Sequence, residues 1–141
     1  MKKIVIFLCL FAGSFLFANE AHDLATELHY LESYKQGVQT AKKEHKLMML
    51  VVVEDGCHWC KKFKRTTLSD EGIKQELQGV VKVLVDRYAN MPQKYESRFF
   101  PMVYFIDPKT QNILVKSYGY KTKALFRQEI QKATKKLNSL E

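Results

Sequence analysis

Residues 47–64 constrain this chain more than any other stretch: Leu47-Met48-Met49-Leu50-Val51-Val52-Val53-Glu54-Asp55-Gly56-Cys57-His58-Trp59-Cys60-Lys61-Lys62-Phe63-Lys64. An unbroken apolar run ends in two carboxylates and a glycine, and a Cys-x-x-Cys pair follows at once. The apolar run does not alternate, so it predicts a strand buried on both faces, as in the interior of a parallel sheet. Gly56 marks a sharp turn, and the basic stretch beyond it has helical character. The local reading is strand, turn and helix, with both thiols on the first turn of the helix.

The flanks extend this pattern. Ser33 is placed to cap a helix from Tyr34 to about Glu44, with Val38 and Ala41 facing inward. The thiol-bearing helix is expected from about His58 to Thr67, and Ser69 or Asp70 caps a shorter one ending near Gln78. Val80 to Val85 reads as the next strand. Pro92 suits the first turn of a short helix from Met91 to about Arg98. Pro101 opens a strand from Met102 to Ile106. The cluster Asp107-Pro108-Lys109-Thr110-Gln111-Asn112 is a turn, so Ile113 to Tyr118 returns antiparallel. Thr122 caps a last helix, with Phe126, Ile130, Ala133 and Leu137 along one stripe. The sum is an α/β domain, a small mixed parallel and antiparallel sheet with helices on both faces.

The chain opens Met1-Lys2-Lys3, runs apolar from Ile4 to Phe17 and continues Ala18-Asn19-Glu20. That is the pattern of a secretory signal, and its apolar run is shorter than the ~20 residues of a spanning helix. We read 1–18 as a signal peptide cut after Ala18, with a retained anchor as the alternative. Residues 19–33 form a lead-in, helical or loosely ordered, with Leu24, Leu28 and Leu31 at helical spacing. Residues 34–141 form the domain. Cys9 leaves with the signal, so Cys57 and Cys60 remain as the only cysteines. Export implies the periplasm, where a thiol pair can be oxidised. The formal net charge of +8 falls by two with Lys2 and Lys3. The remaining charge is spread along the chain and reads as solubility, not nucleic-acid binding.

Several features, in order, resemble the thioredoxin family from Tyr34 to Leu137. They are the strand into Cys57-x-x-Cys60, then Val81-Lys82-Val83-Leu84-Val85-Asp86, then Lys94-Tyr95 ahead of Phe100-Pro101 and its strand, then Gly119 before the final helix. Cys60-Lys61-Lys62-Phe63 and Ser117-Tyr118-Gly119-Tyr120 are similar to small exported thioredoxin-like thiol proteins of bacteria. The resemblance implies the thioredoxin fold. It also implies a cis Pro101 packed against the cysteine pair, preceded by a residue, Phe100, whose backbone pairs with a bound peptide. Phe100 and Pro101 are therefore the expected substrate groove. Some positions depart from the family. Val51 stands where a buried carboxylate lies beneath the second cysteine, with Glu54 or Asp55 as candidate substitutes. Lys82 matches a lysine near that carboxylate. Gly56 replaces a tryptophan, and Phe100, next to Phe99, is bulkier than the usual residue.

Disulfide exchange needs a thiolate. A thiol of pKa ~8.5 is only about 3% ionised at pH 7, whereas one of ~6.5 is about three-quarters ionised. A helix N-terminus supplies such a shift through its unpaired N–H groups and dipole. Cys57 sits there as the more exposed nucleophile, and Cys60 faces inward as the resolving thiol. His58, when protonated, stabilises the Cys57 thiolate, and Trp59 is expected as an apolar cover. Lys61, Lys62, Lys64 and Arg65 read as a solvated helix face.

Rival readings fare less well. A four-residue disulfide loop constrains the unfolded chain by roughly 2 kcal/mol, so it is a poor staple. Zinc wants four ligands and there is no second cysteine pair. Haem attachment needs histidine where Lys61 stands. No metal or other cofactor is assigned, although Cu(I) binding by the two thiols stays open. Only 14 residues separate Asp86 from Pro101, too few for an inserted helical domain, and no dimerisation domain precedes the fold. The expected function is a monomeric thiol-disulfide oxidoreductase that reduces disulfides in exported proteins and is recharged by a membrane thiol-reductant donor. An oxidant of exported proteins is the alternative.

Overall fold

The computed structural model describes residues 19–140, so the signal-peptide reading of residues 1–18 lies outside it. The central strand β1 (Met48–Val53) is buried at every position. Its side chains alternate between two cores, as successive strand residues must. Met49, Val51 and Val53 point into one, and Met48, Leu50 and Val52 into the other. This explains why the run shows no polar alternation.

Strand β2 (Val81–Asp86) pairs parallel to β1, with Val51 opposite Leu84. On the other side β3 (Met102–Ile106) pairs antiparallel to β1, placing Val103 opposite Val51, and β4 (Ile113–Tyr118) pairs antiparallel to β3. The order is β2-β1-β3-β4. The expected mixed sheet is therefore present, and β3 and β4 carry the bounds expected of them.

Helix α1 (Glu20–Leu28) starts at Asn19, whose side chain accepts the His22 N–H, and buries Ala21, Leu24, Ala25 and Leu28. Beyond it Leu31 bridges to the outer edge of β2, donating its N–H to the Lys82 carbonyl and accepting the Leu84 N–H, both at 2.9 Å. Helix α2 (Tyr34–Glu44) covers the opposite face through Tyr34, Gly37 and Ala41, and Ser33 caps it by accepting the Gln36 N–H. Helices α3 (His58–Phe63) and α4 (Glu71–Glu76, capped by Asp70) lie on the α1 side. So does α5 (Lys123–Asn138), which buries Phe126, Ile130 and Ala133, with Leu137 partly covered. Helices thus pack on both faces.

Two expected helices differ. The stretch from Met91 to Arg98 holds only a 3-10 turn, Gln93–Tyr95. Pro92 precedes that turn with ψ 143° and Glu96 ends it at ψ 141°, both extended. Ser97 then ties itself locally to Phe99, accepting its N–H and donating to its carbonyl. Serine competing for local backbone groups in this way draws a chain out of a helix. The cysteine-bearing helix ends near Thr67 as expected, but it is α-helical only to Phe63 and passes into a π-helical turn at Lys64–Leu68. The Ser69 N–H reaches back five residues to the Lys64 carbonyl. Thr66 donates back to the Lys62 carbonyl, and Thr67 donates to the Lys121 carbonyl outside the turn.

Candidate active site

The end of β1 delivers the chain to a tight turn, closed by the Cys57 N–H donating to the Glu54 carbonyl at 3.2 Å. Gly56 takes φ +73°, a left-handed conformation that residues with a Cβ rarely adopt. Cys57 then caps α3, its sulfur accepting the Cys60 N–H at 3.1 Å. The two cysteines are joined as a disulfide with their Cα atoms 5.2 Å apart. Their surroundings differ. Cys57 is half-buried, whereas Cys60 is 2% exposed in the core with Ala21, Phe63 and Phe126. One sulfur is open toward the surface and the other is shielded beneath it.

On opening the pair, negative charge on Cys57 would meet the Cys60 N–H already aimed at its sulfur. Hydrogen bonds to an ionised acceptor are roughly twice as strong as neutral ones, and the unpaired N–H groups at the start of α3 add to the field.

Pro101 follows a cis peptide bond from Phe100, and its carbonyl accepts the Gly119 N–H at 2.8 Å. Among the described residues, neither the N–H nor the carbonyl of Phe100 has a backbone partner. Cys57, His58, Trp59, Phe99, Phe100 and Tyr118 all line one groove of about 410 Å³ beside the disulfide. Phe100 packs against both cores and lies under the Arg87 guanidinium at 5.1 Å. Trp59, Phe99 and Tyr118 are 50%, 65% and 54% exposed, an unusual amount of aromatic surface around one sulfur.

His58 is exposed, with its ring edge-on to Trp59 at 5.4 Å. Trp59 leans the other way onto Tyr120, with ring centroids 5.7 Å apart, and the Lys62 ammonium sits about 5 Å from both rings. The expected solvated basic face is therefore partly engaged. Lys62 lies between two aromatics, Lys64 pairs with Glu27, and Lys61 lies 3.5 Å from Glu20.

The place of the family's buried carboxylate is filled by Val51, 1% exposed between Leu84 and Val103. Lys82, with no carboxylate to meet, turns to the carbonyls of Val80 and Leu77 at 3.3 and 3.4 Å. Partial burial, with Lys46 adding to it, lowers its pKa. Of the candidate substitutes, Glu54 is paired with Arg87, and Asp55 accepts the Glu20 N–H at 3.3 Å. Glu20 itself accepts the Gly56 N–H at 2.8 Å, a contact no local pattern announces because 36 residues separate the two. Tyr120 was visible only within the Ser117-Tyr118-Gly119-Tyr120 phrase. Among the described residues, no cluster of three or more His, Cys, Asp or Glu side chains is placed to hold a metal ion.

Solved structures share this fold at low sequence identity. A thioredoxin from Thermus thermophilus is 19% identical and superposes with a TM-score of 0.66 over 79% of this chain and 91% of that one. The C-terminal domain of DsbD from Neisseria meningitidis, in its oxidised form, is 16% identical, with a TM-score of 0.59 over 73% and 98%. The periplasmic thioredoxin SoxS from Paracoccus pantotrophus is 14% identical, with a TM-score of 0.53 over 64% and 98%. No curated protein matches the chain. A family model described as a thioredoxin-like domain matches residues 34–134. That span runs from the start of α2 into α5 and takes in the whole dithiol site, so the chain belongs to the thioredoxin-like family, with a redox-active cysteine pair of the thiol-disulfide oxidoreductase kind.

Proposed function

We propose that this protein is an exported reductant that transfers electrons from Cys57 and Cys60 to disulfides in other exported proteins. The observation that carries this reading is the asymmetry of the pair, a half-buried Cys57 at the cap of α3 over a buried Cys60. In the reduced protein the Cys57 thiolate attacks one sulfur of a substrate disulfide. The Cys57–substrate S–S bond forms, the substrate S–S bond breaks, and the departing substrate sulfur leaves as a thiolate and takes a proton. Cys60 then loses its proton and attacks Cys57. The internal disulfide forms and the second substrate thiol is released. Two electrons have passed to the substrate, and a dithiol donor is needed to restore the pair.

The open groove supports an extended peptide as substrate. Phe100 offers an unpaired N–H and carbonyl for strand-like pairing, while Trp59, Phe99 and Tyr118 present apolar surface to residues flanking the substrate cysteine. The direction is supported by what lies between β2 and β3, a 3-10 turn and loops with no added helical domain. Export is supported by the Met1–Ala18 pattern and agrees with the likeness to SoxS, a periplasmic thioredoxin. A membrane-bound dithiol reductant is the donor that such a location requires, and the domain acts as a monomer.

Insulin reduction tests the assignment. Cys57→Ser abolishes activity. Cys60→Ser leaves Cys57 able to attack and unable to be released, so it accumulates mixed disulfides visible by mass spectrometry. Full activity of either variant refutes the roles given to the two sulfurs.

A further inference from the structure

We propose that Glu20 is a positioning residue for the dithiol: its carboxylate, delivered by α1 and held on the Gly56 N–H, disfavours the Cys57 thiolate and so makes the reduced pair a stronger reductant. This rests on the redox reading above and deepens it.

Helix α1 is anchored to the domain by four buried residues, Ala21, Leu24, Ala25 and Leu28, so the backbone at Glu20 is fixed. There the two segments exchange contacts. Asp55 accepts the Glu20 N–H at 3.3 Å, and Glu20 Oε2 accepts the Gly56 N–H at 2.8 Å. Gly56 is the residue immediately before Cys57. The Glu20 side chain is only 16% exposed, and its other oxygen, Oε1, is buried without a hydrogen bond. The cation paired with it, Lys61 of α3, stands 3.5 Å away on a side chain that is 60% exposed, so solvent weakens the compensation. Asp23, Glu27, Asp55, Lys64 and Arg65 lie around the same side of the turn, with Lys64 spent on Glu27, and His58 lies beyond Cys57.

A partly desolvated negative charge is therefore bonded to the peptide next to the sulfur that must ionise. As a disulfide, neither sulfur carries charge and Glu20 has nothing to repel. On reduction the Cys57 thiolate forms one residue beyond the Gly56 N–H that Glu20 holds, and like charges disfavour ionisation. The Cys60 N–H and the start of α3 pull the other way. Oxidation of the dithiol, which releases two electrons and two protons to the substrate disulfide, removes the repulsion.

Glu20→Gln separates charge from geometry, because the amide oxygen still accepts the Gly56 N–H. The purified wild-type protein, Glu20→Gln and Glu20→Ala are compared in two assays. One is iodoacetamide alkylation of reduced Cys57 across pH, and the other is equilibrium with glutathione redox buffers. In Glu20→Gln the midpoint of the alkylation profile falls by about half a unit, giving about threefold faster alkylation well below it. The equilibrium shifts in the same sense, toward the dithiol. Glu20→Ala shifts both readouts in that direction as well. If Glu20→Gln reproduces the wild-type midpoint and equilibrium, the carboxylate acts only as a hydrogen-bond acceptor and the proposal is overturned, whatever Glu20→Ala does. A wild-type pair that never exchanges with glutathione removes the redox reading itself, and this inference falls with it.

Discussion

Replacing Gly37 with alanine should destabilise the domain, although the change improves the intrinsic helicity of α2. A β-carbon built at Gly37 falls 2.3 Å from Val83 Cγ2 and 3.0 Å from Met48 Cε. Carbon atoms in contact prefer about 3.5–4.0 Å, so the valine or the helix must retreat by more than about 1 Å. The methionine terminus can swing aside. Val83 cannot do so easily, because it is fully buried, β-branched and locked in the middle of β2. Overpacking costs typically 1–3 kcal/mol, and an approach of 2.3 Å to a side chain that cannot swing away belongs in the upper part, about 2–3 kcal/mol, against a gain of about 1 kcal/mol from exchanging glycine for alanine in a helix. The net loss is about 1–2 kcal/mol, which lowers the melting temperature by roughly 3–8 °C for a domain of this size. Urea denaturation checks it, with the midpoint falling and the slope unchanged. Val83→Ala in the Gly37→Ala background should recover part of the loss in a double-mutant cycle. Insulin reduction should survive at temperatures where the variant is folded, because α2 lies on the sheet face away from Cys60. A Gly37→Ala protein as stable as the parent, or more so, would refute the close approach of α2 to β2.

Other consequences follow from the same packing and polar contacts. Phe63→Ala should cost about 3–5 kcal/mol, because Phe63 is 1% exposed and packs edge-on against Phe126 at 5.1 Å. The variant should also slow insulin reduction below its melting transition, since Phe63 ends the helix that carries both cysteines. Lys62→Met, cycled against Tyr120→Leu, should reveal a coupling of about 0.5–1 kcal/mol, the value of a partly exposed cation over an aromatic face. Asp107 is buried at the β3–β4 turn, where burial raises its pKa. The Thr110 hydroxyl and the N–H groups of Lys109 and Thr110 outweigh burial and bring it below the ordinary 3.8. Its contribution is therefore complete above that value and fades as pH falls through the depressed one. Asp107→Ala should lose about 1–3 kcal/mol at neutral pH, and the gap to wild type in urea midpoints should narrow as pH falls below 3.8.

How much of this was legible in the sequence depends on how local each cause is. The bounds of β3 and β4 were readable because Pro101 and the Asp107–Asn112 cluster punctuate both ends. Helix α2 was readable because Ser33 supplies its own cap. The turn and helix around Cys57 follow from a buried run meeting Gly56. The π-helical turn was hidden because the Thr67 hydroxyl finds its partner at Lys121, 54 residues away. The Met91–Arg98 segment misled because proline suits both a helix start and an extended entry, and Ser97 decided it. The role of α1 could not be read at all, since a carboxylate at position 20 and an N–H at position 56 meet only through the packed fold. The pairing of Lys61, Lys62 and Lys64 was missed for the same reason.

The central claim is that Cys57 is an accessible, acidified thiol held over a buried partner. The most direct measurement is the alkylation rate of each cysteine in the reduced protein as a function of pH, resolved by mass spectrometry. The account predicts that Cys57 reacts far faster than Cys60, with a midpoint below the ~8.5 of a free cysteine. A Cys57 midpoint at or above that value, or faster labelling of Cys60, would contradict it.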